Sequence, residues 1–153
     1  MIRYQAGGRS AATAATADQS GAALWNASTA KSIYCVEFHC FKTTATADNH
    51  QLIRTTNRGT TPGSTVTPDI DNDHNRAVAP VSGALLDLAA WATYPTVAGP
   101  PMARSNLPAA IGAGFMWIFG GDGIAIPQST GLAIGTPVAT ILQASDFTAV
   151  WDE

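Results

Sequence analysis

At 153 residues the chain is the size of one ordinary domain, which excludes a multidomain machine. Only 12% of its residues are charged, about half the usual share, and a net charge of −3 excludes a surface built to hold nucleic acid, which needs clustered Lys and Arg. No apolar run approaches the roughly 20 residues that span a bilayer, and the first thirty residues lack the apolar stretch of a secretory signal, so neither membrane insertion nor signal-peptide export is expected.

Much of the 46% apolar content is alanine, so large contacts rest on four Trp, five Phe, three Tyr and the Ile, Leu and Val residues. Low charge then predicts that part of the surface meets other protein. From the N-terminus, residues 5 to 30 are mostly Ala, Gly, Ser and Thr, with Leu24 and Trp25 as the large apolar groups. Such a stretch buries too little surface to offset its own ordering entropy. Residues 1–30 are therefore expected to be an extended arm anchored on a neighbour by Trp25, ahead of a folded domain over residues 31–153.

SIYCVEFHCFKTT alternates as a long strand, with Tyr34, Val36, Phe38 and Cys40 expected inside and Ile33, Cys35, Glu37, His39 and Phe41 on a mixed face suited to a partner. The odd spacing places Cys35 and Cys40 on opposite faces, so the reading is two free thiols in a reducing cytoplasm rather than a bridge. Asp48 to His50 reads as a turn and QLIRTT as a second strand, together a hairpin. Asn57 to Pro80 reads as a long loop, functional or pinned by a neighbour. Ala84 to Ala89 is a strand or one helical turn, and Pro95, Pro100, Pro101 and Pro108 forbid a long helix beyond it. GFMWIF, from Gly114 to Phe119, reads as a buried central strand, followed by a GGDG turn. IAIP, GLAI, PVATIL and DFTAVWDE are short β-type runs separated by Gly- and Pro-containing turns, and in the last of them Phe147, Ala149 and Trp151 share a face. The fold class that follows is all-β, an antiparallel β-sandwich of jelly-roll type.

Among motifs with chemistry, Asp69, Asp71 and Asp73 with His74 start like a calcium loop. The sixth position, however, is His74 rather than Gly and the twelfth is Pro80 rather than Glu, so the EF-hand reading fails. A self-bonded turn, another kind of calcium site and a polar contact between subunits stay open. Gly112 and Gly114 lack the third glycine and the helix of a dinucleotide site. His39, His50 and His74 lie on separate segments without a nucleophile at a recognisable spacing, so no catalytic site and no cofactor are expected. Asn26-Ala27-Ser28 matches a glycosylation sequon that means nothing without a secretory route. Trp91, Trp117 and Trp151 sit in apolar neighbourhoods that favour packing over sugar stacking.

Read in order, the segments 52–89, 104–119 and 124–153 resemble a family of small structural proteins from the virions of tailed bacteriophages. The TPDIDND loop, NLPAAIGAG, the IPxxTGLAI hairpin and the closing WDE carry the resemblance most strongly, over residues 31–153. It implies a capsid cement or decoration protein: a sandwich subunit that trimerises and sits on the major capsid protein lattice, on the surface of a virion assembled in the bacterial cytoplasm. Trp25, Asp69, Asp71, Asp73 and His74 are then the candidate capsid or subunit contacts. The alternative is a virion-surface binding module, of head or tail-fibre type, that grips a receptor or glycan through tryptophans and the Asp-rich loop.

Overall fold

A computed structural model describes residues 2–15, 19–70, 80, 82–137 and 140–153. In chain order the strands are β1 (Arg3–Arg9), β2 (Thr13–Ala15), β3 (Ser20–Asn26), β4 (Ile33–Lys42), β5 (Asp48–Thr55), β6 (Ser64–Val66) and β7 (Asp69–Ile70). There follow β8 (Leu85–Leu88), β9 (Val97–Leu107), β10 (Gly114–Ile118), β11 (Ile124–Ile126), β12 (Thr130–Gly135), β13 (Thr140–Leu142) and β14 (Ser145–Asp152). A first six-stranded sheet has the order β10-β4-β14-β1-β7, with β11 also paired to β4. A second six-stranded sheet has the order β6-β8-β3-β12-β5-β9, and β2 pairs with β13 in a two-stranded ribbon.

Every pairing is antiparallel, and the inner faces of the two sheets share one core. Phe38, Phe147, Ala149 and Trp151 of the first sheet meet Leu24, Leu52, Leu86 and Leu132 of the second, which makes the molecule a β-sandwich. The C-terminal rhythm is realised as four successive strands, with Phe147, Ala149 and Trp151 on the inner face as their alternation predicts. Two six-stranded sheets exceed the eight strands of a jelly roll, so the fold is assigned at the level of the sandwich.

Four expectations are corrected. The strands β1 and β3 of the expected N-terminal arm, residues 1–30, are built into the two sheets instead. β1 lies between β14 and β7 in the first sheet, and β3 lies between β8 and β12 in the second, with Ala22 and Leu24 fully buried. Small side chains serve close approach here: a methyl group added at Gly8 would lie 2.8 Å from Leu88 Cδ1, so the glycine lets the sheets pack together.

β4 and β5 do not form a hairpin. They belong to different sheets, and Asp48 to His50 is part of β5 rather than a turn. The phase of β4 reverses midway. A register shift skips Val36 where Val150 pairs with Glu37 and Trp151 with Cys35, so Ile33 and Cys35 face the core along with Phe38 and Cys40. Both thiols are buried and free. Lastly, Gly114–Ile118 is an edge strand and not a central one, paired to β4 alone.

Candidate functional site

The outer face of the first sheet is built by β4, β10, β14 and β1. On β4 it presents Glu37, His39 and Phe41; opposite them on β10 stand Ile118, Met116 and Gly114. Met116 is 56% exposed, Ile118 65% and Phe41 39%, an unusual concentration of apolar surface on a pleated face that ordinarily carries polar groups. The Phe41 ring lies over Gly114, where an added methyl group would collide with it. Polar side chains on this face are already partnered. His39 Nε2 stands 2.8 Å from Glu37 Oε2, and Arg9 donates to both oxygens of Asp146, its register partner, at 2.7 and 2.9 Å. Those hydrogen bonds hold the Asp146 carboxyl below its usual range.

The same region contains an open edge. Hydrogen bonds from Lys42 N to Ala113 O and from Phe119 N to Val36 O, at the two ends of β10, fix the bonding alternation: Phe115 and Trp117 bond β4, while the N–H and C=O groups of Gly114, Met116 and Ile118 point away. Other edges are blunted. β6 and β7 have three and two residues, and β9 bulges at Gly99, Pro100, Pro101 and Met102 between its pairings with Leu52 and Arg54. Along β11, Arg54 donates to Ala125 O at 2.8 Å. Among the described residues β10 carries no such protection.

Beneath β10 lies a cluster that sequence spacing did not disclose. Cys40 on β4 and Asp48 and His50 on β5 meet across the sandwich, with His50 Nε2 3.3 Å from Asp48 Oδ2 and 3.9 Å from Cys40 Sγ. Lys42, also buried, donates to Thr46 O and to Pro108 O. The residue types are those of a thiol triad, but the arrangement is not. Carboxylate and thiol both approach the same ring nitrogen, Nδ1 has no partner, and burial pushes the Cys40 thiol up to about 12. Desolvation lowers the His50 pKa, with Lys42 acting in the same direction and Asp48 against both. The His50 ring packs on Phe115, 5.6 Å between centroids, and Phe115 on Trp117 at 4.1 Å, so the cluster props up the inner side of the open edge. Among the described residues no group of three or more His, Cys, Asp and Glu is arranged to hold a metal ion, and no helix is long and apolar enough to cross a membrane.

The outer face of the second sheet is closed by the chain's own loops. Ala23, Ile53 and Ala133 are covered by Ala89, Trp91 and Leu142. Asp87, fully buried on the same face, receives two hydrogen bonds from Arg58, at 2.6 and 2.8 Å, and one from Thr65 Oγ1 at 2.6 Å.

The residues singled out in the sequence are scattered relative to the exposed apolar face. Trp25 is half-buried on β3, on the opposite sheet, beside Gly131. Asp69 is exposed on β7 at the far edge of the first sheet, its Oδ1 accepting from the Ile70 N–H at 2.8 Å. Asp71, Asp73 and His74 lie outside the described residues. Trp91 and Trp151 are buried, which removes them from any sugar-stacking groove, and Asn26 of the sequon is fully buried with its amide bonded to Lys31, Ile126 and Pro127 carbonyls. Met116 and Ile118 were missed because a continuous apolar run names a strand without saying whether it has one neighbour or two. Compared with known proteins, the chain matches no family model, no curated protein and no solved structure.

Proposed function

We propose that the chain is an accessory structural protein of a virion, a cement or decoration subunit that binds the major capsid protein lattice as a trimer and stabilises the head. The observation that carries this reading is the outer face of the first sheet, where Phe41, Met116 and Ile118 stand exposed beside polar side chains already partnered within the chain. Such a face favours protein over water as its neighbour: burying apolar area contributes roughly 25 cal/mol per Å², and polar side chains that already have partners need fewer from the neighbour. The resemblance of residues 31–153 to cement proteins supplies the partner and the threefold arrangement. With β1 and β3 built into the sandwich, attachment falls to this face and to the loops rather than to an arm.

The test is association with particles. The protein should copurify with assembled heads at about the copy number of the major capsid protein, and heads stripped of it should open at lower temperature. Its absence from purified heads would overturn the reading.

A further inference from the structure

The open edge points to an occupant that the lattice role does not require. We propose that β10 pairs antiparallel with β10 of a second copy of this chain, across a twofold axis at Met116, joining the two first sheets into one.

The register follows from the directions of the backbone groups. Gly114, Met116 and Ile118 are the residues whose N–H and C=O point away from β4. Only a pairing that sets these residues against one another satisfies both rows, and its symmetric form places Met116 opposite Met116 and Ile118 opposite Gly114 of the second copy. The edge is complementary to itself in charge: the partial charges of N–H and C=O alternate so that each falls against its opposite, and no residue from Gly114 to Ile118 brings a formal charge to repel its copy.

Size agrees as well. The exposed Ile118 side chain meets a glycine position, where it reaches the second copy's half-exposed Phe41 ring rather than a competing side chain. Bulged β9, capped β11 and the short β6 and β7 offer no comparable template. This contact is separate from a threefold one; in a trimeric protein it links one trimer to the next.

Two cysteine substitutions in the full-length chain test the register, since Cys35 and Cys40 are buried and do not compete. Under mild oxidant Met116→Cys should give a covalent dimer rapidly, because its Cα atoms face each other at a separation a disulfide can bridge. Ile118→Cys should not, although Ile118 is the more exposed of the two, because its opposite number is a glycine. Met116→Pro removes only an N–H that points away from β4, so the fold should survive by circular dichroism while the sedimenting mass falls to that of the assembly without this contact. A wild-type chain that sediments as a monomer at high micromolar concentration would overturn the proposal. So would equal cross-linking at positions 116 and 118, or a mass unchanged by Met116→Pro in a folded variant. None of these outcomes bears on copurification with heads, so the twofold contact and the virion role fail or stand separately.

Discussion

On the outer face of the second sheet, Ile53 and Ala133 lie under Trp91 and Leu142, supplied by the loop after β8 and by β13. On the outer face of the first sheet, Phe41, Met116 and Ile118 have no segment of the chain above them among the described residues. Both faces present apolar side chains at alternate strand positions, so the difference lies in where the connections run. Loops between strands of the second sheet fold back over it and create a second small core. Connections on the β10 side of the first sheet are short turns, such as the one from Gly120 to Gly123, that stay at its rim. A sheet face is internal or external by courtesy of its loops, and the face left bare is where another molecule gains most by binding.

The contrast is broken most severely from the covered side. Trp91→Ala should cost about 3–5 kcal/mol, read as a lower denaturant midpoint, because it empties the lid of the second core. Loss comparable to a surface substitution would mean that this loop is not part of the folding unit. Arg58→Ala comes next. It strands the buried Asp87 carboxylate with Thr65 alone, and the cost should fall below the about 3–5 kcal/mol of a fully enclosed pair because the Arg58 side chain is 37% exposed and partly screened by water.

A smaller effect is expected from acid. His50 has its pKa lowered in the fold from 6.5, so the folded state holds the neutral ring. The unfolded chain takes up a proton first as pH drops, and stability, undiminished above about 6.5, declines below it towards the folded-state value. Unfolding midpoints in mildly acidic and in neutral buffer should therefore diverge for the wild type and draw together in His50→Gln. A midpoint difference unaltered by the substitution would assign the acid sensitivity to other groups. The smallest effect belongs to the bare face: Ile118→Ser should shift the stability of the isolated subunit by no more than about 0.5 kcal/mol while weakening association. A large stability loss would show that Ile118 is covered within the subunit.

The strand content of the C-terminal third was legible because Gly and Pro punctuate it and because Phe147, Ala149 and Trp151 alternate with Asp146, Thr148, Val150 and Asp152; these are local properties of the chain. The interaction surface was half legible. Low charge announced it, and the mixed character of Glu37, His39 and Phe41 marked its middle, but Met116 and Ile118 sit in an apolar run that reads equally well as a central strand. For the N-terminal segment, composition misled. Gly8 and Gly21 contribute little area of their own, yet beside Leu88 and Phe147 they fit spaces that larger side chains would overfill.

The sequence by itself determined the class, all-β and sparing in charge, since periodicity and turn residues act within a few positions of one another. Tertiary structure alone decided three things: that a bulge at Val36 turns Cys35 inward, that Cys40, Asp48 and His50 meet across two sheets, and that β10 stands at an edge. Each depends on which strand lies beside which, a choice made by pairings between residues far apart in the chain, and no local pattern encodes the neighbour a strand will have.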